Sequence, residues 1–322
     1  MISKSIVRLT EGFSSNNKQN LSFAEIVVPY HELVSFKTTT GEINMQSAFK
    51  LGTNSEDEFK KQCEEIDKRL AAMNKRNRSF LRVGIHGEPK SGKSGVALDC
   101  LTEEEIKDGW KVIALDWDNG CEPTWRNNWD SSEHIIVFDP HCFNEDGSPN
   151  FAQSEKLAEA FVRRVKNGDF GDKYKFVFDG VDKWLVRCFD TLTKGKKETD
   201  FKFIPILYGK RNRHYNLLLD KVDALECDVF FITHMKDVYE GINNPNPVGK
   251  EADWHKSTPA RFSHEIRMTK TKKLKSVEYT AEILSSKSNT LSVGKTFKVL
   301  EVDHQKNEVN WSGIPPLKEG TI

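Results

Sequence analysis

The chain has no excess charge of either sign and no long apolar run. Across 322 residues, 48 Lys+Arg balance 48 Asp+Glu. That excludes a globally basic nucleic-acid binder, though not a local basic patch. The apolar blocks, such as Val112–Leu115, Ile135–Phe138 and Val229–Ile232, are short; none approaches the roughly 18 residues a membrane helix needs. The N-terminal Met-Ile-Ser-Lys-Ser-Ile-Val-Arg lacks the apolar stretch of a secretory signal. Only 6 cysteines are present, with no Cys-x-x-Cys pair, so reduced thiols in a cytoplasmic setting are expected. Cys121 with His134, His141 and Cys142 fits no standard zinc spacing. With 37% hydrophobic and 30% charged residues, the chain reads as polar and membrane-free, with its core material concentrated in blocks.

One of those blocks leads into a motif. Phe80-Leu-Arg-Val-Gly-Ile85 precedes Gly87-Glu88-Pro89-Lys90-Ser91-Gly92-Lys93-Ser94, a full G-x-x-x-x-G-K-[ST] loop, and Gly95-Val-Ala-Leu98 follows at helical spacing. Strand, tight loop and helix are the context in which such a loop cradles a polyphosphate. Gly87, Gly92 and Gly95 let backbone N–H groups face the anion, and the helix N-terminus adds partial positive charge. Lys93 is expected on the β- and γ-phosphates and Ser94 on Mg²⁺. The motif predicts nucleoside triphosphate binding.

Strands are expected at Leu81–Ile85, Val112–Asp116, His134–Phe138, Lys175–Asp179 and Val229–Thr233. Helices are expected at Gly95–Lys107, Ala152–Lys166 and His214–Glu226. Short apolar strands alternating with helices predict an α/β fold with a mostly parallel central sheet flanked by helices. Ligands then sit at the carboxyl ends of the strands. Ser263–Thr269, Val277–Leu284 and Lys298–Val302 read as antiparallel edge strands at the C-terminus. Residues 1–76 form an N-terminal extension, with a strand pair at Phe23–Val28 and Leu33–Thr38 and an amphipathic helix over 55–76 carrying Phe59, Cys63, Ile66, Leu70 and Met73. Residues 77–322 form the main domain.

Three strand ends carry candidate chemistry. Tyr174-Lys-Phe-Val-Phe178-Asp179 is an apolar strand ending in an acid, and Asp179 is the expected Mg²⁺ ligand beside Ser94. Asp116-Trp-Asp118 ends the Val112–Leu115 strand, expected beside the loop strand; Asp118, then Asp116, is the candidate for orienting a water on the γ-phosphate. Either acid could instead serve the turn signalled by Asn119-Gly120. His234, after Val229-Phe-Phe-Ile-Thr233, is placed to sense the γ-phosphate, or is a structural histidine.

These motifs in this order, with Tyr-Gly-Lys-Arg-Asn-Arg-His-Tyr before Phe-Phe-Ile-Thr-His-Met-Lys, resemble the RecA-like P-loop ATPases of phages and prophages, which include single-strand-annealing and recombination proteins. The resemblance covers roughly residues 80–300. It implies a RecA-like core, ATP with Mg²⁺, single-stranded DNA as partner, and a homo-oligomeric ring or filament. It puts the catalytic carboxylate at Asp118, one methylene shorter than the usual Glu, and the γ-phosphate sensor at His234. Gly180 stands where Ser commonly follows the metal-binding acid. The DNA-contacting loops correspond to Thr191–Phe203 with Lys194, Lys196 and Lys197, and to Lys236–Ser257 with Tyr239, Lys250, Trp254 and Lys256. The basic Thr269–Lys275 run is a further candidate, and Arg261, Arg267 or Lys270 is the candidate to reach a neighbouring subunit's phosphate. A small-molecule P-loop kinase clamping phosphate with Arg211 and Arg213, a DNA packaging or remodelling motor, and a nucleotide-gated binding module are the alternatives.

Overall fold

The computed structural model describes residues 37–38, 41–42, 56–75, 79–196, 205–240 and 246–322. The chain divides into two compact units, Met1–Asn77 and Arg78–Ile322. In the first, β1 (Lys37–Thr38) pairs antiparallel with β2 (Gly41–Glu42), and α1 spans Glu56–Lys75. The helix covers the expected 55–76 almost completely, and the expected strand Phe23–Val28 lies outside the described residues.

The second unit is built on one nine-stranded sheet. Its strands are β3 (Arg82–Gly87), β4 (Lys111–Asp116), β5 (Ile135–Phe138), β6 (Tyr174–Asp179), β7 (Val229–Thr233), β10 (His264–Lys272), β11 (Ser276–Ser286), β12 (Thr296–Asp303) and β13 (Glu308–Trp311). A separate hairpin of β8 (Met235–Tyr239) and β9 (Pro247–Ala252) grows from the end of β7. The sheet order is β13-β12-β11-β10-β3-β7-β6-β4-β5. From β10 to β5 every pairing is parallel, and from β10 to β13 every pairing is antiparallel. The result is an α/β unit with a mostly parallel central sheet and antiparallel C-terminal strands.

Two expectations about the sheet are corrected. The Ser263–Thr269 segment joins antiparallel on one side only: β10 pairs antiparallel with β11, but on its other side it pairs parallel with β3, from His264↔Val83 to Met268↔Gly87, so it lies inside the sheet and not at its edge. The Asp116 strand is not beside the phosphate-loop strand either, because β7 and β6 stand between β3 and β4. Strand order is set by tertiary packing, on which local sequence is silent.

Each central strand is apolar on both faces, as a doubly covered parallel sheet requires. Val112 and Ala114 of β4 join one buried cluster, whereas Ile113 and Leu115 join the other. On the first face lie α2 (Lys93–Leu98), α4 (Cys121–Asn128) and α8 (Pro315–Glu319). On the second lie α5 (Phe151–Lys166), α6 (Val181–Thr193) and α7 (Pro205–Asp223). The expected helix Gly95–Lys107 is two helices. A capping box at Thr102, whose hydroxyl takes the Glu105 N–H while the Glu105 carboxylate takes the Thr102 N–H, restarts the chain as α3 (Glu103–Lys107). The short stretch between them buries Cys100 and Leu101.

Candidate functional site

The loop after β3 is shaped by close approach. A Cβ on Gly87 would lie 2.4 Å from the Met268 carbonyl oxygen on β10, so only glycine fits there. Gly92 enters α2 with φ +88°, a left-handed conformation that side chains resist. Within the loop the Ser91 hydroxyl is fully buried and has no hydrogen-bond partner among the described residues. Lys93 folds back so that its ammonium donates to the Gly87 and Glu88 carbonyls at 3.2 and 3.0 Å. The lysine is 5% exposed, with no carboxylate in hydrogen-bonding contact. Burial pulls its pKa below the ordinary lysine value, against the attraction of Asp179, Asp118 and Asp182.

Asp179, at the end of β6, lies 85 residues away in sequence yet accepts the Ser94 hydroxyl at 2.7 Å. Its Oδ2 also takes the Cys121 thiol at 3.2 Å. Burial, followed by the neighbouring Asp116, pushes Asp179 up to about 7, while Ser94 and Cys121 pull it back. Asp116, Cys121 and Asp179 form a fully buried set of potential metal donors within 4.8 Å of one another. Asp116, however, accepts the backbone N–H groups of Gly120, Cys121 and Glu122 at 3.1, 2.9 and 3.2 Å. It caps the start of α4 and closes the Asn119-Gly120 turn. Of the two acids on that strand end, Asp116 is the turn residue.

Asp118 is the one that faces the loop. A Cβ placed on Gly120 would lie 2.9 Å from Ser94 Oγ, 3.2 Å from Asp179 Oδ2 and 3.9 Å from Asp118 Oδ2. With no side chain at Gly120, a hydroxyl and two carboxylates close in together there, a hard oxygen set of the kind suited to Mg²⁺. The cradle fits the metal. Burial raises the Asp118 carboxyl, opposed by His234 and Lys183. His234 stands between two acids, Nε2 at 3.3 Å from Asp118 Oδ2 and Nδ1 at 3.2 Å from Asp182 Oδ2. Asp182 also accepts the Thr233 hydroxyl at 3.2 Å. Burial works against its ionisation, yet the His234 hydrogen bond and the nearby positive charges hold its carboxyl below the usual range.

Comparison with protein-family models and with curated proteins finds no match.

Gly180 also has a local reason. It opens α6 with φ +84°, and a Cβ there would meet the Asp118 backbone nitrogen at 2.9 Å. The β6–α6 and β4–α4 turns pack backbone to backbone, which brings Asp118 beside Asp179. Asp182 is a site residue the sequence reading passed over. Its signal was present, an acid three residues after Asp179 in the first turn of a helix whose Val181, Trp184 and Cys188 mark the buried face.

Residues expected to act beyond this cluster divide. Tyr239 is exposed, but Trp254 is not the free stacking ring anticipated; it is buried edge-on against Phe262 and His86. Lys236 lies 3.5 and 3.4 Å from Glu251 and Asp253, and Lys250 lies 2.5 Å from Glu88 of the phosphate loop. Lys197 falls outside the described residues; Lys194 and Lys196 are exposed. Arg261 is held by Asp220, Asp223 and Asn216 of its own chain, Arg267 pairs with Glu282, and the Lys270 ammonium lies 5.4 Å from the Tyr279 ring centre. Arg211 bonds the Asn212 side chain and lies over Tyr208 on α7. His141 bonds Asp139, so it does not join Cys121 in a zinc set. Among the described residues, no helix is long and apolar enough to cross a membrane.

Proposed function

We propose that this chain is a Mg²⁺-dependent ATPase of RecA type that acts on DNA, with single-stranded DNA as the favoured partner. The observation that carries the reading is that Ser94, Asp179 and Asp118 meet at Gly120, with Lys93 of the same loop within electrostatic reach of both acids. A buried lysine hydrogen-bonded only to carbonyls, with its nearest acids acting at a distance, is costly and favours an anion as a direct partner. A polyphosphate supplies that anion, and the loop N–H groups supply the rest of its cradle. When bound, Mg²⁺ and ATP supply the electrophilic phosphorus and neutralise its oxygens.

This chain's own residues then have distinct tasks. Lys93 leaves the Gly87 and Glu88 carbonyls for phosphate oxygens. Ser94 and Asp179 would hold the metal, whose charge would favour the ionised Asp179 carboxylate against its burial. Asp118, made more basic by burial, orients a water and accepts its proton. His234 keeps Asp118 in place, with Asp182 and Thr233 behind it.

The DNA partner rests on the family resemblance and on a physical link. The β8–β9 hairpin starts one residue after His234, and the Asp253 N–H donates to the His234 carbonyl at 2.8 Å. Any shift of His234 with nucleotide is therefore passed to that hairpin. The test is ATP turnover with Mg²⁺, alone and with single-stranded DNA, duplex DNA and RNA, at two salt concentrations. Stimulation by single strands that weakens with salt supports the reading, and a rate indifferent to all polymers removes the DNA role. Transfer of phosphate to a small molecule in place of hydrolysis would favour the kinase alternative.

A further inference from the structure

We propose that Trp311 is the nucleobase platform of this site, stacking one indole face against the base; the inference rests on the nucleotide reading above. Ser94 directs its hydroxyl to the buried acids, so the rest of a nucleotide must leave the loop elsewhere. The next residue, Gly95, is where an aromatic ring comes against the loop's helix. A Cβ there would lie 3.1 Å from Trp311 Cη2, 3.6 Å from Cζ3 and 3.9 Å from the Thr124 methyl. The absent side chain lets the edge of the indole pack directly on the first turn of α2, one residue beyond Ser94, with the Thr124 methyl beside it.

The ring is built for contact, not for core packing. Trp311 ends β13, the edge strand of the sheet, and is 36% exposed. It belongs to neither buried cluster, although Trp125 and Trp129 pack against the first. Its orientation is nonetheless fixed: the indole N–H donates to Asp99 Oδ2 at 2.7 Å, and Trp129 meets it edge-on at 6.0 Å. A rigid aromatic loses little entropy on binding, and every base offers a π-face to stack on it. The other aromatic beside the loop, Tyr279, lies 3.5 Å from the Cβ position of Gly92, but the Lys270 ammonium is over its ring.

The test titrates the full chain, by calorimetry and by tryptophan emission, with MgATP and with base-free magnesium tripolyphosphate. Wild type binds ATP more tightly than tripolyphosphate. Trp311→Ala weakens ATP about tenfold or more and leaves tripolyphosphate unchanged. Trp311→Phe keeps ATP affinity within about threefold, because a ring remains, and loses most of the emission change. An unchanged ATP-to-tripolyphosphate ratio in Trp311→Ala, or an equal loss of both, overturns the platform. If neither ligand binds wild type, the phosphate-loop reading fails with it; if tripolyphosphate alone binds, only the platform fails.

Discussion

Two lysines are buried among the described residues, one on a sheet strand and one at the start of a helix beyond the sheet's carboxyl end, and their surroundings differ. Lys175, near the start of β6, donates to the Cys100 carbonyl, the Glu105 carboxylate and the Lys318 carbonyl at 2.9, 2.8 and 3.2 Å. Lys93, at the carboxyl end of the sheet, reaches two carbonyls and no carboxylate within bonding distance. The first charge is complete within the folded chain and ties α3 and α8 to β6. The second is held by backbone carbonyls, and Asp179, at the other end of the same β6 strand, is a buried acid that accepts only the Ser94 hydroxyl and the Cys121 thiol among the described side chains. A charge satisfied by the fold serves stability, and a buried charge without a salt bridge is a candidate contact for a ligand, as proposed above.

Substituting the two lysines separates these roles. Lys93→Met lowers ATP turnover by about 100–1,000-fold, the scale of losing a preorganised charge donor, and leaves the ligand-free melting temperature equal or higher. Lys175→Met costs about 3–5 kcal/mol of stability by stranding Glu105 and two carbonyls, read as a lowered denaturant midpoint. Loss of stability in the first variant but not the second would break the contrast. Asp118→Asn reduces turnover about a hundredfold with ATP affinity retained, since a general base is lost and no phosphate contact is. Asp116→Asn instead disturbs folding through the α4 cap, by about 1 kcal/mol.

A further effect is a pH dependence. Burial raises Asp179 to about 7, above its unfolded value. Its contribution to stability is therefore fully present below pH 4 and lost as pH rises through about 7. Asp179→Asn cannot ionise, so the variant gains on wild type across that window: similar melting at pH 4, and a lead of several degrees at pH 8 without metal. Mg²⁺ narrows the lead by stabilising wild type alone. A difference that stays constant from pH 4 to 8 would remove the buried-charge account.

The parts of the site that lie within one segment were legible in the sequence. Gly87–Ser94 announced itself because its chemistry is local, and Asp179 because an apolar run ended in an acid. What the sequence left open depends on contacts between distant segments. The choice between Asp116 and Asp118 turns on which carboxylate meets the α4 N–H groups. Gly120 matters only because Ser94 and Asp179 converge on it. Trp254 looked available in an exposed basic loop, yet it packs against Phe262. The parallel entry of β10 beside β3 could not be read from its composition, since antiparallel and parallel strands share the same apolar runs.

The most direct test of the central claim is calorimetric titration of wild type and Lys93→Met with ATP, each with and without Mg²⁺, alongside their melting temperatures. The account predicts Mg²⁺-enhanced ATP binding by wild type, and none by a Lys93→Met protein that melts no lower. Equal ATP affinity in the two proteins, or no binding by wild type, would contradict it.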